Sequence, residues 1–392
     1  MKSFVFALLF LSQFGTLSTA VAAGPPLCSM IFADTPWGEL RRDFQHNDHY
    51  TKEIPQDTAI KNQCNLGTCH LHSWLGAMEK TYTLRTGEVM TLSNHFMSAH
   101  QMLTRSIMQL KTGEENVAKV ELGAGPLNSR DSILVYGVIP DGLWTPKTEF
   151  YKNPQAQVLK EYTENIIGRT KSLAAKVKDP AQKKALIEKG VEQLRQLHRD
   201  FVGELPKTFQ WEGRQWTPQE FAYKKFSFFL GPQTQMIINA NRKAMPYTER
   251  VEKDKRVYTD MDSVEKMATQ LIDRGSMVYL SYEHHHEYVD KPTGIMSIRA
   301  FYTPDYAKPL TREQREKFDK NGGGHAVQII GYERHPQTGH IVKWKIKNSW
   351  GENSGDEGYY HMYDDYFRAF AKGITYQEID PAITLKMPVK GN

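Results

Sequence analysis

Four residues of this 392-residue chain have the types and settings that nucleophilic acyl transfer requires: Cys69, His325, Asn348 and Gln63. A thiol that attacks a carbonyl needs to lose its proton, a base to take that proton, and donors for the oxyanion that forms. Cys69 opens a stretch in which Leu71, Trp74, Leu75, Met78 and Tyr82 recur at spacings of three and four, so the spacing predicts a helix beginning at the cysteine. A helix N-terminus offers free backbone N–H groups and the positive end of a dipole, both favourable to a thiolate. Gln63 lies six residues earlier, across a loop containing Gly67 that can return its amide to the thiol. His325 follows Gly322, Gly323 and Gly324 at the mouth of an apolar run, and Asn348 opens Asn348-Ser-Trp-Gly351 at the end of the next one. An asparagine amide oxygen there can accept from the imidazole and fix the ring, with Trp350 shielding the bond.

Taken singly, each signal has an ordinary explanation: a structural cysteine, a turn histidine, a strand end. Their force is in the combination, and the elements between them must bring the four together. The run 133–140 reads as a short strand ended by Pro140 and the Asp141-Gly142 turn. From about 152 to 225 the chain is rich in Lys, Glu, Gln and Ala, and Ile187, Val191, Leu194, Leu197 and Phe201 follow a helical period. The C-terminal third turns to strands at 277–282, 326–332, 341–347 and 358–363, and the run 341–347 alternates apolar with basic residues as a half-buried antiparallel strand does. The expected organisation is a signal peptide (1–23), a lead-in (24–54), a helical half with the nucleophile (55–150), a helical insertion (151–230), an antiparallel β half with the histidine and asparagine (231–380) and a tail (381–392). The class is α+β.

Composition is that of a globular protein, with 40% hydrophobic and 24% charged residues. A net charge of +5 without a basic tract gives no support for nucleic acid as a partner. Lys2, the apolar stretch 4–11 and Ala20-Val-Ala22 have the pattern of an export signal, too short for the roughly 20 residues of a membrane span. The mature chain is therefore expected to be exported and to lack a membrane span. Of three cysteines, Cys28 with Cys64 is the one pairing that spares Cys69; whether it forms is left open.

The segment 63–74, the strand opening at His325-Ala-Val and Asn348-Ser-Trp-Gly351-Glu resemble the active-site segments of the papain superfamily. Tyr136-Gly-Val-Ile-Pro140, Leu205-Pro-Lys-Thr-Phe-Gln-Trp211, Thr217-Pro-Gln-Glu-Phe221 and Trp344-Lys-Ile-Lys-Asn-Ser-Trp-Gly-Glu352 are similar to its bleomycin hydrolase (aminopeptidase C-like) branch. The resemblance implies a papain-like fold, a thiol peptidase acting on peptide or protein substrates, and no cofactor. It also implies that Gly123-Ala124-Gly125 lies where an extended substrate pairs with backbone. The chain departs from the pattern at His70, where a large apolar residue is usual, and at Cys64, directly after the glutamine. His70 reads either as a second imidazole acting beside the thiol or as a tolerated surface change, with the second preferred. The tail 386–392 does not resemble the arm that makes that branch aminopeptidases, so exopeptidase and endopeptidase action both remain open, and oligomeric state is not readable. His284-His-His286 with Glu283 and Glu287 contains zinc-ligand types, but consecutive residues seldom converge on one ion, so a loop or strand end is expected and no metal. Two other functions stay in view: acyl transfer to an amine or thiol, and a silent binding protein that keeps the fold.

Overall fold

The computed structural model describes Cys28, residues 40–56, 58–114, 117–238, 254–301 and 323–377. The expected export signal and the tail lie outside the described residues. Helix α1 (Cys69–Thr86) begins at the predicted residue and stops at Gly87, whose φ of +80° places it in the left-handed conformation that ends helices. It is covered on nearly every side. Leu71, Trp74, Leu75, Met78 and Tyr82 are buried as the periodicity requires, but so are His70, His72, Ser73 and Glu79. Helices α2 (Asn94–Thr112) and α3 (Pro126–Tyr136) pack around it, α2 capped by Ser93, whose side chain accepts from Phe96 N–H.

The strand expected at 133–140 is not formed. Its first four residues end α3, which Pro126 opens and Gly137 closes, and they bury Ile133 while leaving Leu134 and Val135 exposed. A short apolar run fits either element, and the proline at the first helical position decides it.

Helices α4 (Gln155–Ala175) and α5 (Pro180–Val202) form a hairpin that packs Ile167, Val191 and Leu194 against Leu110 of α2. The helical stretch expected to reach 225 is interrupted by a small hairpin, β2 (Phe209–Trp211) with β3 (Arg214–Trp216), before α6 (Pro218–Phe226). Glu212 and Gly213 between them both have positive φ, the geometry that matches the twist of a tight hairpin.

The other half is a large twisted sheet. Strands β4 (Thr234–Ile238), β5 (Lys255–Thr259), β6 (Val278–His284), β7 (Val289–Asp290), β8 (Ile295–Met296), β9 (Gly323–Arg334), β10 (Ile341–Lys347), β11 (Tyr359–Tyr363) and β12 (Ala371–Tyr376) run in the order β5-β4-β12-β6-β9-β10-β11-β8-β7. Strand β1 (Lys52–Glu53) adds to β9. Pairing is antiparallel except at β4–β5 and β8–β11. Helices α7 (Met261–Asp273) and α8 (Asp364–Phe370) cover one face. This is an α+β, papain-like arrangement of a helical half, an added helical hairpin and a largely antiparallel half.

Strand β10 departs from the half-buried reading. Lys343 and Lys347 are buried because the segment ahead of α1 lies over them: Lys343 Nζ donates to Asn47 Oδ1 at 2.8 Å and pairs with Glu333 at 2.9 Å, and Lys347 Nζ donates to Thr58 O at 2.9 Å. A third buried cation, Lys61, pairs with Glu79 of α1 at 2.7 Å, and the same carboxylate accepts from Leu92 N–H at 2.6 Å. Removing one member of a buried pair strands the other charge, so Glu79→Ala is expected to lower stability by about 3–5 kcal/mol, read from denaturant midpoints.

Candidate functional site

Helix α1 and strand β9 place the cysteine and the histidine. Ser73 Oγ donates to Ala326 O at 2.8 Å, and Gln328 Nε2 donates to Ser73 O. Gly76 permits this approach, since a Cβ there would fall 2.4 Å from Gln328 Nε2. Cys69 stands one helical turn before Ser73, and His325 one residue before Ala326. The backbone N–H groups of Ala326, His70 and Cys69 itself accordingly favour the thiolate form of the Cys69 sulfur.

Burial pushes the Cys69 thiol up to about 11, against the pull of those three donors. No acidic residue in the first turn of α1 offsets the helix dipole. Burial pushes His325 down to about 4, opposed by its bond to Asn348 and reinforced by the neighbouring His286. Each charge is disfavoured alone; a proton passed from thiol to imidazole makes the two charges together, where they attract.

His325 Nε2 lies 2.9 Å from Asn348 Oδ1. The Ser349 N–H donates to the same atom at 2.8 Å, which identifies it as the amide oxygen. An oxygen can only accept, so His325 carries its proton on Nε2 and keeps the Nδ1 lone pair free to act as a base. Trp350 stacks on the imidazole with centroids 4.6 Å apart and planes at 21°.

Gln63 reaches the site through the loop that carries Asn348. Gln63 N–H donates to Ser349 O at 2.9 Å, Asn62 bridges to Trp350, and Gly351 N–H donates to Lys61 O at 3.1 Å. Gly351 has a φ of +81° and would crowd Asn62 with any side chain. The Gln63 amide is fixed at both ends, Oε1 by Ser349 Oγ at 2.7 Å and Nε2 by Leu66 O at 2.9 Å, which leaves one amide hydrogen for another acceptor. Cys64, beside it, forms the disulfide with Cys28 that the sequence left open.

His70 is not a surface residue. It is wholly buried, with Nδ1 2.7 Å from Ser129 Oγ and Nε2 3.1 Å from Leu122 O, and Gln101 Nε2 also donates to Leu122 O at 2.7 Å. Its contacts anchor the loop whose next residues are Gly123, Ala124 and Gly125. Gly123 is exposed and neighbours Gly67, while Gly125 immediately precedes α3.

Two features were not read from the sequence. Tyr282 pairs with His325 across the sheet, and His284, at the end of the same strand, sets its ring edge-on to Trp350 at 4.9 Å and to His325 at 5.9 Å. Burial holds His284 far below the usual histidine range. The three histidines sit at the expected strand end, but the first abuts the site, a neighbourhood set by the pairing of β6 with β9 that no local pattern announces.

The fold and this cysteine–histidine–asparagine geometry define a papain-like protein. The Peptidase C1-like family model matches residues 131–379, more than half of the chain, and the protein belongs to that family. The matched range includes His325 and Asn348; Gln63 and Cys69 lie ahead of it. The chain is similar to Aminopeptidase C of Listeria monocytogenes, 27% identical over 193 residues, 43% of each chain. It is also similar to Aminopeptidase C of Listeria innocua, 25% identical over 259 residues, 60% of this chain and 57% of that one. Cysteine proteinase 1, mitochondrial, of Saccharomyces cerevisiae is 27% identical over 168 residues, 39% of this chain and 34% of the other. The chain thus spans less than two thirds of the length of these relatives, whose names bear out the resemblance to the bleomycin hydrolase branch. The crystal structure of PepW from Lactobacillus rhamnosis HN001 has the same fold, with a TM-score of 0.67 and 18% identity over 85% of this chain and 82% of that one.

Burial also holds His70 down to about 4 and His72 to about 3. Above pH 6.5 both states are neutral; as pH falls from 6.5 toward 4 the unfolded chain binds protons that the folded chain refuses, so stability declines across that window. Urea midpoints measured from pH 7.5 to 4.5 should fall, and His70→Gln should flatten the slope.

Proposed function

We propose that this protein is an exported cysteine peptidase working through a thioacyl-enzyme. The observation that carries the reading is the His325–Asn348 bond of 2.9 Å, which leaves the imidazole Nδ1 basic, together with a cysteine at the start of α1 whose thiolate the Ala326 N–H favours. In this reading His325 takes the thiol proton, and the Cys69 sulfur attacks the peptide carbonyl. The Gln63 amide and the Cys69 backbone N–H receive the oxyanion. The imidazolium then protonates the leaving amine, and water releases the acyl group by the same route in reverse. Asn348 holds the ring, and Gly123 to Gly125 pair with the extended substrate. No step in this scheme calls on a cofactor.

Export is supported by the Cys28–Cys64 disulfide, a bond that persists in oxidising compartments. No helix among the described residues is long and apolar enough to cross a membrane. Two relatives are named Aminopeptidase C, which favours action at a free N-terminus.

Fluorogenic peptides with free and with blocked N-termini test the reading, under reductant mild enough to keep Cys69 free. Cleavage confined to free N-termini makes the protein an aminopeptidase, and cleavage of blocked peptides makes it an endopeptidase. Cys69→Ala should abolish either. Gln63→Ala should lower kcat by about 10²–10³-fold, and Asn348→Ala by about 10²-fold through a misoriented ring. If neither class is cut, an added amine acceptor tests acyl transfer; absence of any Cys69-dependent turnover defeats the enzymatic reading. Sequencing the N-terminus of protein recovered outside the producing cell tests export, which fails if residues 1–23 are retained.

A further inference from the structure

His46 and Asp48 lie in the segment ahead of β1, and His361 lies in the middle of β11; one ligand atom from each falls within 4.8 Å of the other two. The two rings lie with centroids 4.4 Å apart and planes tilted at 58°. Both imidazoles are held by their Nδ1 atoms, His46 by the Tyr363 hydroxyl at 2.9 Å and His361 by the Tyr50 hydroxyl at 2.5 Å. Each Nε2 is left to a carboxylate: His46 Nε2 is 3.1 Å from Asp48 Oδ1, and His361 Nε2 is 3.4 Å from Asp356 Oδ2.

Nitrogen and oxygen ligands on a tetrahedral zinc, with bonds of about 2.0–2.1 Å, stand about 3.3 Å from one another. The two histidine–carboxylate separations already have that spacing. A ligating histidine whose second nitrogen is fixed by a hydrogen bond is the usual arrangement around such ions, and here two tyrosines supply it. The charge also suits a dication. Asp48 and Asp356 bring two negative charges and have no lysine or arginine ion-pair partner among the described residues. The nearby Lys343 and Lys345 are paired with Glu333 at 2.9 Å and Glu53 at 2.6 Å.

We propose that His46, Asp48 and His361 form a zinc site, with Asp356 beside His361 to complete it and Tyr50 and Tyr363 orienting the imidazoles, that fastens the segment ahead of β1 to strand β11. The site is separate from Cys69 and His325 and stands whether or not the protein is a peptidase. Two histidine nitrogens with carboxylate oxygens favour zinc over calcium or magnesium, which prefer oxygen alone.

The test uses the full chain carrying Cys69→Ala, so that the thiol cannot act as a ligand, stripped with a chelator. Titration with Zn²⁺ by calorimetry should show one saturable equivalent, and Co²⁺ should give the visible absorption of a tetrahedral nitrogen and oxygen site. Tyr50→Phe should weaken binding about 10–100-fold. His46→Ala and Asp48→Asn, which alter the two ligands in the segment ahead of β1, should each weaken it at least as much, and together abolish it in protein whose circular dichroism is unchanged. Absence of saturable binding overturns the site and leaves two ordinary histidine–aspartate pairs. Binding that persists undiminished in the double variant also overturns it.

Discussion

The contact between α1 and β9 is the constraint on which the site depends. Ser73 donates to Ala326 O and accepts from Gln328 across it, and Gly76 removes the side chain that would hold helix and strand apart. These bonds fix the register of a helix against a strand. A slip of one residue along β9 would carry His325 to the opposite face of the sheet, since strand side chains alternate. A rotation of α1 by one residue would swing Cys69 about 100° away. The site's precision therefore comes from residues one turn behind the nucleophile and one to three residues past the histidine, none of whose side chains takes part in the chemistry.

The same division explains what could be read from the sequence. The choice of Cys69, His325, Asn348 and Gln63 rests on their combination and a family resemblance; the start of α1 and the bounds of β10 rest on local signals: an apolar period, glycines, a strand end. They were legible because helix starts and strand ends are written in a few neighbouring residues. The error at 133–140 came from a run too short for its period to decide, where Pro126, ten residues from Tyr136, was the better guide. The readings of His70 as exposed and of β10 as half-buried failed for a different reason. Both judged polarity without knowing what lay above it. His70 is polar because Ser129 and Leu122 need a partner inside the helical half, and Lys343 is buried because the lead-in segment brings Asn47 over the sheet.

Burial makes the electrostatics of the site unusual in one respect. His70, His72, His284 and His325 all lie inside the protein and are all held toward the neutral form. For three of them neutrality is the condition of being buried with hydrogen-bond or ring partners. For His325 it is also what leaves a lone pair on Nδ1, because the Asn348 oxygen claims the proton on Nε2. A carboxylate in place of Asn348 would stabilise the imidazolium and leave a net charge in the dry interior; an amide orients the ring without adding one.

The segment ahead of α1 ties these features together. It carries Gln63, and its position is set at several points: the disulfide at Cys64, the buried Lys61–Glu79 pair, the bridge from Asn62 to Trp350, the short strand β1 on β9, and the lysines of β10 that hold Asn47 and Thr58. A loop has no regular hydrogen-bond ladder of its own, so an amide aimed at an oxyanion from a loop must be held by the structure on either side of it. Here the holding groups come from both halves of the fold, Glu79 from the helices and Ser349, Trp350 and Lys347 from the sheet. The loop with Gln63 therefore acts as a strap across the junction of the two halves, and separation of the halves would move Gln63, Cys69 and His325 apart together.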